Sequence, residues 1–413
     1  MDKVLEDLLK QAKQASRKMM QVNTQMKNKA LKRISEALIE HQDDIIQANL
    51  MDRNQALQNH MSDAMIDRLL LNEERIQKMA KDVLMLTTLE DPVGTLIREI
   101  QRPNGLIIQQ VRVPIGVFGI IYESRPNVTV DIASLCIKSS NVCVLKGGKE
   151  AIHSNCMLVK IMNEAIKDIL PIGTINLIEN MDRSIVLQLM TAHDYVDVLV
   201  PRGGKGLIDY VVKNATVPVI ETGAGNCHLY IDKEADFQKA IDISINAKIQ
   251  RPSVCNAIET ILVHKDIAEK YLKLLYSAFH EKVDIRGDEY TKKIIPCTLA
   301  TEKDYATEYD DYIVSIKVVD SLQEAIEHIY QYSTKHSESI ITENKETAQI
   351  FMSSLDSACV YHNASTRFSD GGEFGFGVEL GISTQKLHAR GPLSLLEMTS
   401  FQYKIYGNGQ VRE

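Results

Sequence analysis

Several signatures that would assign a ligand or a compartment are missing from this sequence. Its seven cysteines include no C-x-x-C pair, and its eleven histidines include no H-x-x-x-H pair. Cysteine spacing fits neither a zinc site nor a disulfide framework, so we predict no metal site and a reducing, cytoplasmic compartment. No basic stripe interleaved with aromatic residues is present, and the net charge is -8. A nucleic-acid partner is therefore not expected.

Membrane-directed segments are also missing. The first ten residues, MDKVLEDLLK, have an amphipathic helical pattern without the apolar core of a signal peptide. No apolar run approaches the length that crosses a bilayer, so we expect no membrane partner. The 413 residues are 44% hydrophobic and 25% charged, which is typical of a globular protein of two or three domains.

The chain begins with predicted helices and continues into a predicted hairpin. Residues 2 to about 86 carry apolar stripes at helical spacing, and Ser62 is placed to cap a third helix that runs to the end of this region. Strand-like runs at 93–100 and 106–113 are joined by R-P-N-G at 102–105, a strong hairpin signal. Because an isolated hairpin is marginally stable, we expect it to pack on something else, such as another subunit.

From residue 114 the sequence alternates between continuous apolar strands and helices, which indicates parallel sheets covered on both faces. Strands of a first α/β unit are expected at 115–121, 142–145, 175–178, 196–200, 217–220 and 227–231. Strands of a second unit are expected at 258–264, 294–299, 313–319, 338–341 and 359–361. Ligands bind such sheets at the carboxyl ends of the strands.

The stretch QRPSVCNAIET at 250–260 is where covalent chemistry is best placed. Pro252 ends a predicted helix, and a β-branched strand follows, so Cys255 lies in a tight loop beside Arg251. A thiol near a cation can become a nucleophile, although most cysteines outside disulfides are simply small buried hydrophobes.

Two glycine-lysine turns, VLKGGKE at 144–150 and PRGGKG at 201–206, each follow a predicted strand and open a helix. Together they favour one extended polyanion such as a dinucleotide, because helix N-termini attract anions and glycines allow close approach. Lys146 and Lys149 lie three residues apart, so both could point to one phosphate. The spacing is not that of a Walker loop, and a solvated turn with surface lysines fits equally well.

Three further polar residues have two interpretations each. Asn127 could donate to a developing oxyanion or satisfy backbone amides at a helix start. Glu221, at the end of a strand, could act as a base or hold the glycine turn that follows. Arg367 could bind a substrate carboxylate or phosphate in a bidentate way, or form an ordinary surface ion pair.

Five stretches together resemble the γ-glutamyl phosphate reductase family of the aldehyde dehydrogenase superfamily: 113–131, 144–151, 221–228, 250–260 and 373–392. The resemblance covers essentially the whole chain. It implies an α/β fold with two Rossmann-like parallel-sheet domains and a β-hairpin oligomerisation arm, assembled as a homodimer or homotetramer. The implied parts are a cofactor domain at 1–93 and 114–231, a catalytic domain at 232–362, a return segment at 363–390, and an arm at 94–113 and 391–413.

The resemblance also implies roles for individual residues. Cys255 matches the nucleophile, and Asn127 matches the asparagine whose amide forms the oxyanion hole with the nucleophile's N–H. Lys146 matches the lysine on the adenosine ribose. Lys149 stands where members that prefer NAD carry a glutamate, which implies NADPH. Glu373 matches the glutamate on the nicotinamide-side ribose.

Other implied residues are less closely matched. Gly203, Gly204 and Lys205 replace the usual G-x-T-x-x-G turn on the pyrophosphate side. Glu221 matches the base of hydrolytic members, whose water a phosphate-linked reductase must exclude. The candidates for substrate binding are Arg125, Arg251, Ser365, Thr366 and Arg367.

The activity implied by the resemblance is the NADPH-dependent reduction of L-γ-glutamyl 5-phosphate to L-glutamate 5-semialdehyde and phosphate through a cysteine thioester. This is the second step of proline biosynthesis, and the glutamate kinase that supplies the acyl phosphate is a candidate partner. The alternatives are a hydrolytic aldehyde dehydrogenase and a non-catalytic nucleotide-binding oligomer.

Overall fold

The computed structural model describes residues 1–279 and 281–412, with all of their side chains except those of residues 63 and 64. The chain divides into two compact units. The first consists of Met1–Thr222, Gly375–Gly381 and Leu393–Glu413, and the second of Gly223–Phe374 and Ile382–Pro392.

The N-terminal part of the first unit is helical. Its helices are α1 (Lys3–Met19), α2 (Thr24–Glu40), α3 (Gln42–Gln58), α4 (Asp63–Leu69) and α5 (Glu73–Met85). Ser62 caps α4 by accepting from the Met65 amide, as expected. The expected third helix is nevertheless two helices, because the Asn72 side chain accepts from the Arg75 amide and starts a new one.

A four-stranded parallel sheet forms the core of the first unit. After the hairpin strands β1 (Leu96–Gln101) and β2 (Ile107–Pro114), the chain runs through β3 (Val117–Tyr122), α6 (Asn127–Lys138), β4 (Val142–Gly147), α7 (Ile152–Ile166), β5 (Ile175–Leu177), α8 (Arg183–Met190), β6 (Val198–Arg202) and α9 (Lys205–Asn214). The strand order is β5-β4-β3-β6, so the direction of winding reverses between β3 and β6. Their carboxyl ends form the switch point where such sheets bind ligands.

One expected strand of this unit does not form. Residues 217–220 contribute only an isolated bridge between Leu199 and Val219. Pro218 lacks the N–H that a ladder needs, and its carbonyl accepts from the Leu199 amide instead.

The second unit is built on a seven-stranded parallel sheet in the order β10-β9-β11-β8-β7-β12-β13. The strands are β7 (Cys227–Ile231), β8 (Ile258–His264), β9 (Asp284–Gly287), β10 (Thr298–Leu299), β11 (Ile313–Val319), β12 (Ser337–Ile341) and β13 (Cys359–His362). The helices are α10 (Phe237–Ile249), α11 (Lys265–Phe279), α12 (Glu289–Ile294), α13 (Glu302–Tyr305), α14 (Leu322–Tyr332) and α15 (Lys345–Ser354). The short strands β14 (Ile382–Ser383) and β15 (Gly391–Pro392) pair separately.

Two details of this sheet differ from expectation, and a third is an irregularity of one ladder. Strand 227–231 pairs with β8 and β12, so the second unit begins near residue 223 rather than 232. The expected strand 294–299 is reduced to Thr298–Leu299, because residues up to Ile294 are helical and Pro296 cannot donate to a ladder. The β7–β8 ladder is offset: Cys227 pairs with Ile258 but His228 pairs with Thr260, which leaves Glu259 as an extra residue.

The hairpin and the last strand form one antiparallel sheet. β16 (Thr399–Tyr406) pairs with β2 along its whole length, and β2 pairs with β1. Seven of the eight residues of β16 are exposed. Ile405 and Ile100 are both direct cross-strand neighbours of Ile108, so three isoleucines lie side by side on one face of this sheet, and Ile405 is exposed there.

Among the described residues, none of the helices is long and apolar enough to span a bilayer. In the same part of the chain, no group of three or more histidine, cysteine or acidic side chains is arranged to hold a metal ion.

Candidate active site

Cys255 lies in a turn between α10 and β8, as the sequence predicts. α10 ends at Ile249, and the turn brings the chain into β8 at Ile258. Three cysteines are half-buried, namely Cys156, Cys255 and Cys297. Burial raises the pKa of the Cys156 and Cys297 thiols, which makes both poor nucleophiles at neutral pH.

The backbone of Cys255 is held from the side of β7. A Cβ added at Gly225 would lie 1.5 Å from the Cys255 carbonyl oxygen, so only glycine fits there. The Gly225 amide donates to Glu308 Oε1 at 2.6 Å, and the Cys227 thiol donates to the Cys255 carbonyl at 3.2 Å. The glycine turn at 223–226 therefore fixes the position of the Cys255 peptide.

The segment that follows β13 holds the other side of this turn. Asn256 Nδ2 donates to the carbonyl of Ser369 at 2.9 Å, and Thr366 Oγ1 donates to the carbonyl of Asn256 at 2.7 Å. Ser365 Oγ accepts from the Arg367 amide and caps a short 3₁₀ turn. Ser365 and Thr366, expected at the substrate, are both buried and use their hydroxyls to build this support.

Two arginines lie close to Cys255 in the second unit. Arg367 Nε donates to Gln250 Oε1 at 3.0 Å, which ties its guanidinium to the start of the cysteine turn. Burial lowers the pKa of Arg367, as does the charge of Arg251, while Asp370 and Cys255 act in the opposite direction. The charges of Arg251 and Cys255 therefore both act on Arg367, and two interacting guanidinium groups, one of which interacts with the thiol, suit an anionic substrate. The charge of exposed Glu373 also opposes the lowering of the Arg367 pKa.

A buried ion pair spans the base of the same turn. Lys248, in the last turn of α10, donates to Glu259 of β8 at 2.7 Å, and both side chains are almost fully buried. Burial raises the pKa of Glu259, and the charge and hydrogen bond of Lys248 oppose that rise. The ion pair therefore joins α10 to β8, the two elements that the cysteine turn connects.

In the first unit, the turn after β3 presents Asn127 as the first residue of α6. Its Nδ2 donates to Asp131 Oδ2 at 2.9 Å. Ser124, three residues earlier, has a φ of 47°. This left-handed conformation is stabilised by the Glu150 carboxylate, which accepts from the Ser124 amide at 2.7 Å and from its hydroxyl at 2.9 Å. Arg125 is half-buried in the same turn.

The two glycine-lysine turns lie at the carboxyl ends of β4 and β6. Lys146 is buried, and its ammonium donates to the Gly147 carbonyl at 3.0 Å. Burial lowers the pKa of Lys146, whereas the charge of Glu150 raises it. Lys149 is exposed on the short 3₁₀ turn that precedes α7.

The second turn opens α9 at the switch point of the sheet. Gly203, Gly204 and Lys205 are exposed, and a Cβ at Gly204 would meet no atom within 4 Å. The Gly204 amide donates to Glu123 Oε2 at 3.0 Å, so a carboxylate is already attracted to this helix end. A glycine-rich helix N-terminus that begins with an exposed lysine supplies donors of the kind that a dinucleotide phosphate requires. These residues therefore fit a nicotinamide dinucleotide.

Glu221 is half-buried at the end of the first unit, beside Thr222, whose hydroxyl donates to the Pro201 carbonyl at 2.8 Å. The two roles predicted for Glu221, a catalytic base or a residue that holds the glycine turn, both stay predictions.

Several supporting residues were not singled out from the sequence. The spacing of four residues between Asn127 and Asp131 within one helix could have revealed that pair. Nothing in the sequence points to the contact between Glu308 and Gly225, since 83 positions separate them.

Comparison with known proteins agrees with this geometry. A model of the aldehyde dehydrogenase family matches residues 2–309. The chain belongs to the aldehyde dehydrogenase family. A γ-glutamyl phosphate reductase of Clostridium novyi is 55% identical over 404 residues, which cover 97% of each chain. One from Caldanaerobacter subterraneus is 53% identical over 407 residues, 98% of each chain. Within its family, the chain groups with the γ-glutamyl phosphate reductases.

Comparison with solved structures also groups the chain with the γ-glutamyl phosphate reductases. The crystal structure of a γ-glutamyl phosphate reductase from Thermotoga maritima is 48% identical, with a TM-score of 0.97 over 99% of this chain and 100% of that one. An acetylating aldehyde dehydrogenase from Geobacillus thermoglucosidasius has a TM-score of 0.71 at 17% identity, which shows the shared fold alone. The protein is accordingly an oxidoreductase of this family that acts on a small molecule, and family membership implies a nicotinamide cofactor.

Proposed function

We propose that the protein reduces L-γ-glutamyl 5-phosphate to L-glutamate 5-semialdehyde and phosphate, with NADPH as reductant. The observation that carries the proposal is the half-buried Cys255 in a turn fixed on both sides and flanked by Arg251 and Arg367. Relatives named γ-glutamyl phosphate reductase match nearly the whole chain at 52–55% identity, which supports the choice of substrate.

The first chemical step is acyl transfer to sulfur. The Cys255 thiolate attacks the acyl carbon, a tetrahedral oxyanion forms, and the C–O bond to phosphate breaks to leave a thioester. The guanidinium groups of Arg251 and Arg367 neutralise the departing phosphate, and Arg125 is a further candidate for this role. The proposal requires the Asn127 amide and the Cys255 N–H to donate to the same acyl oxygen. One such donor contributes roughly 3–4 kcal/mol to transition-state stabilisation.

The second step reduces the thioester. When bound, the nicotinamide cofactor supplies the hydride for this reduction. Lys146, Lys149 and the Gly203–Gly204–Lys205 turn would hold its phosphates, and Glu373 a ribose. The exposed cation at position 149 favours a 2′-phosphate, hence NADPH over NADH. Collapse of the resulting hemithioacetal releases the aldehyde and restores the Cys255 thiol.

The proposed partners follow from the same chemistry and from the antiparallel sheet. An acyl phosphate hydrolyses readily in water, so the kinase that supplies it is proposed as a transient partner. The face of the β1-β2-β16 sheet that carries Ile100, Ile108 and Ile405 is proposed to pair with a second copy of the chain in a homodimer or homotetramer. A cytoplasmic location is proposed because a catalytic thiol requires a reducing compartment.

The decisive experiment is the reverse reaction, in which NADPH formation from the semialdehyde, NADP⁺ and phosphate is followed by absorbance. Cys255→Ser should abolish turnover while NADPH binding, followed by fluorescence, persists. Cys156→Ser and Cys297→Ser are matched controls because these cysteines have similar exposure, and each should retain activity. Near-normal turnover of Cys255→Ser would overturn the assignment. Turnover that does not depend on phosphate would instead identify a hydrolytic aldehyde dehydrogenase, with Glu221 as its base.

A further inference from the structure

We propose that Asp131 is a positioning residue that orients the Asn127 side-chain amide toward the acyl oxygen of the substrate. The inference rests on the oxyanion role proposed above for Asn127. It assigns a task to a residue that does not itself touch the substrate.

The geometry of α6 carries the inference. Asn127 and Asp131 lie four residues apart in the same helix, and therefore on one face. Nδ2 of Asn127 donates to Oδ2 of Asp131 at 2.9 Å. An ionised carboxylate can only accept, so its presence decides which end of the amide faces it. One N–H of Asn127 Nδ2 donates to Asp131, and the second N–H of the same nitrogen can donate to an oxyanion.

Without Asp131, the amide of Asn127 would lose that preference. The last torsion of an asparagine is broad and roughly two-fold, so amide and carbonyl ends exchange readily. In the exchanged orientation the carbonyl oxygen would face the developing negative charge and repel it. The carboxylate thus removes an unproductive orientation before substrate binds, which is a form of preorganisation.

The charges that surround Asp131 come from two elements, α5 and the end of β6, and α6 itself contributes the neutral amide of Asn127. Burial raises the pKa of Asp131 to about 6, and the hydrogen bond from Asn127 opposes this rise. Asp82 of α5 raises the pKa further, whereas Arg202 of β6 and Lys78 of α5 lower it. A protonated Asp131 can donate to the Asn127 carbonyl, so protonation favours the reversed amide.

The test compares kcat and KM of the phosphate-dependent reaction for three variants between pH 5 and 8. Asp131→Ala should lower kcat about 10- to 100-fold with little change in KM, because only transition-state stabilisation is lost. Asp131→Asn keeps an acceptor oxygen, so its kcat at pH 8, on the plateau of the profile, should be much closer to that of the original protein. The acid limb, which is the fall in kcat as pH drops through about 6, should disappear because residue 131 no longer titrates. Asp82→Asn removes a neighbouring charge without touching Asn127. It should shift the acid limb to lower pH and leave the plateau unchanged.

Two further variants separate this inference from the proposed function. Asn127→Ala with normal kcat would overturn the oxyanion role itself, whatever Asp131 does. A slow Asn127→Ala beside a normal Asp131→Ala would overturn the positioning role alone. In the double variant, Asp131→Ala should add no loss to that of Asn127→Ala, and an additive loss would also overturn the positioning role. If Asp131→Ala fails to fold, an acid limb that stays in place in Asp82→Asn overturns the inference.

Discussion

Replacing Gly225 by alanine should separate the position of the nucleophile from the stability of the fold. The added methyl would lie 1.5 Å from the Cys255 carbonyl oxygen, 2.3 Å from its carbonyl carbon and 2.8 Å from its Cα. Real Cβ atoms essentially never approach other atoms below 3.0 Å, so one of the two backbones must move by about 1.5 Å. Both are main chain, and no flexible side chain can absorb the clash.

The magnitude of the effect follows from that displacement. A misplacement of about 1 Å at a reacting group costs on the order of 100-fold in rate, so Gly225→Ala should lower kcat by about 100-fold or more. Overpacking costs about 1–3 kcal/mol of stability, less than the total for a typical domain, so the protein should remain folded. Turnover, thermal unfolding and the rate of Cys255 alkylation would be measured together.

Gly407→Ala is the matched control for this prediction. The atoms nearest to a methyl at residue 407 belong to the side chains of Gln410 and Leu106, at the end of an exposed strand. Activity of this control should stay within about twofold of the original protein. A Gly225→Ala protein with kcat and alkylation rate equally close to the original would refute the claim that this turn positions Cys255.

Four further predictions test other parts of the structure. Lys149→Glu should raise the KM for NADPH at least about tenfold but not that for NADH, since it exchanges a phosphate-binding cation for a ribose-binding carboxylate; equal changes for both cofactors would contradict the NADPH assignment. Lys248→Ala should cost about 3–5 kcal/mol in urea unfolding because it leaves Glu259 buried without its cation, and a loss under about 1 kcal/mol would show that the pair is dispensable. Because the folded-state pKa of Asp131 is raised from 3.8 to about 6, the folded protein binds the extra proton, and stability falls as pH rises through that window. Asp131→Asn should therefore gain thermal stability relative to the original protein at pH 7 but not at pH 4, and a pH-independent difference would refute this linkage. Ile405→Glu, on the isoleucine face of the β1-β2-β16 sheet, should yield a smaller species by light scattering; an unchanged mass would exclude this face as the subunit interface.

Much of the fold was predictable because it depends on local patterns. Continuous apolar strands alternating with helices gave the two parallel sheets, and the R-P-N-G turn gave the hairpin. In the structure the Arg102 amide donates to the Leu106 carbonyl at 2.8 Å, and Gly105 has a φ of 89°. That conformation is one for which glycine is suited, so the sequence signal has a direct physical cause.

The errors of prediction arise where tertiary contacts outweigh local pattern. Residues 227–231 form a strand as expected, but which sheet they join depends on pairing with Thr260 and Glu338, distant in sequence. Pro218 lies within an apolar run that would otherwise read as a strand.

In the candidate active site, too, the features set by local sequence were predictable and those set by distant contacts were not. Cys255 and its turn were predictable from Pro252 and the strand that follows. The placement of Ser365 and Thr366 at the substrate stays a prediction, and their support of the cysteine turn had no signal in the sequence. The role of Glu308 depends on a contact between distant segments, which no local pattern encodes.

The offset at Glu259 has a consequence for anyone who would transplant this nucleophile into another scaffold. The extra residue occurs at the point where β8 leaves the cysteine turn, and its side chain reaches back to Lys248. A grafted turn that carried residues 250–258 but met a regular ladder would be one residue out of phase and would lack its buried counter-charge. The smallest portable unit therefore runs from Lys248 through Thr260 and includes the glycine turn at 223–226 that packs against it.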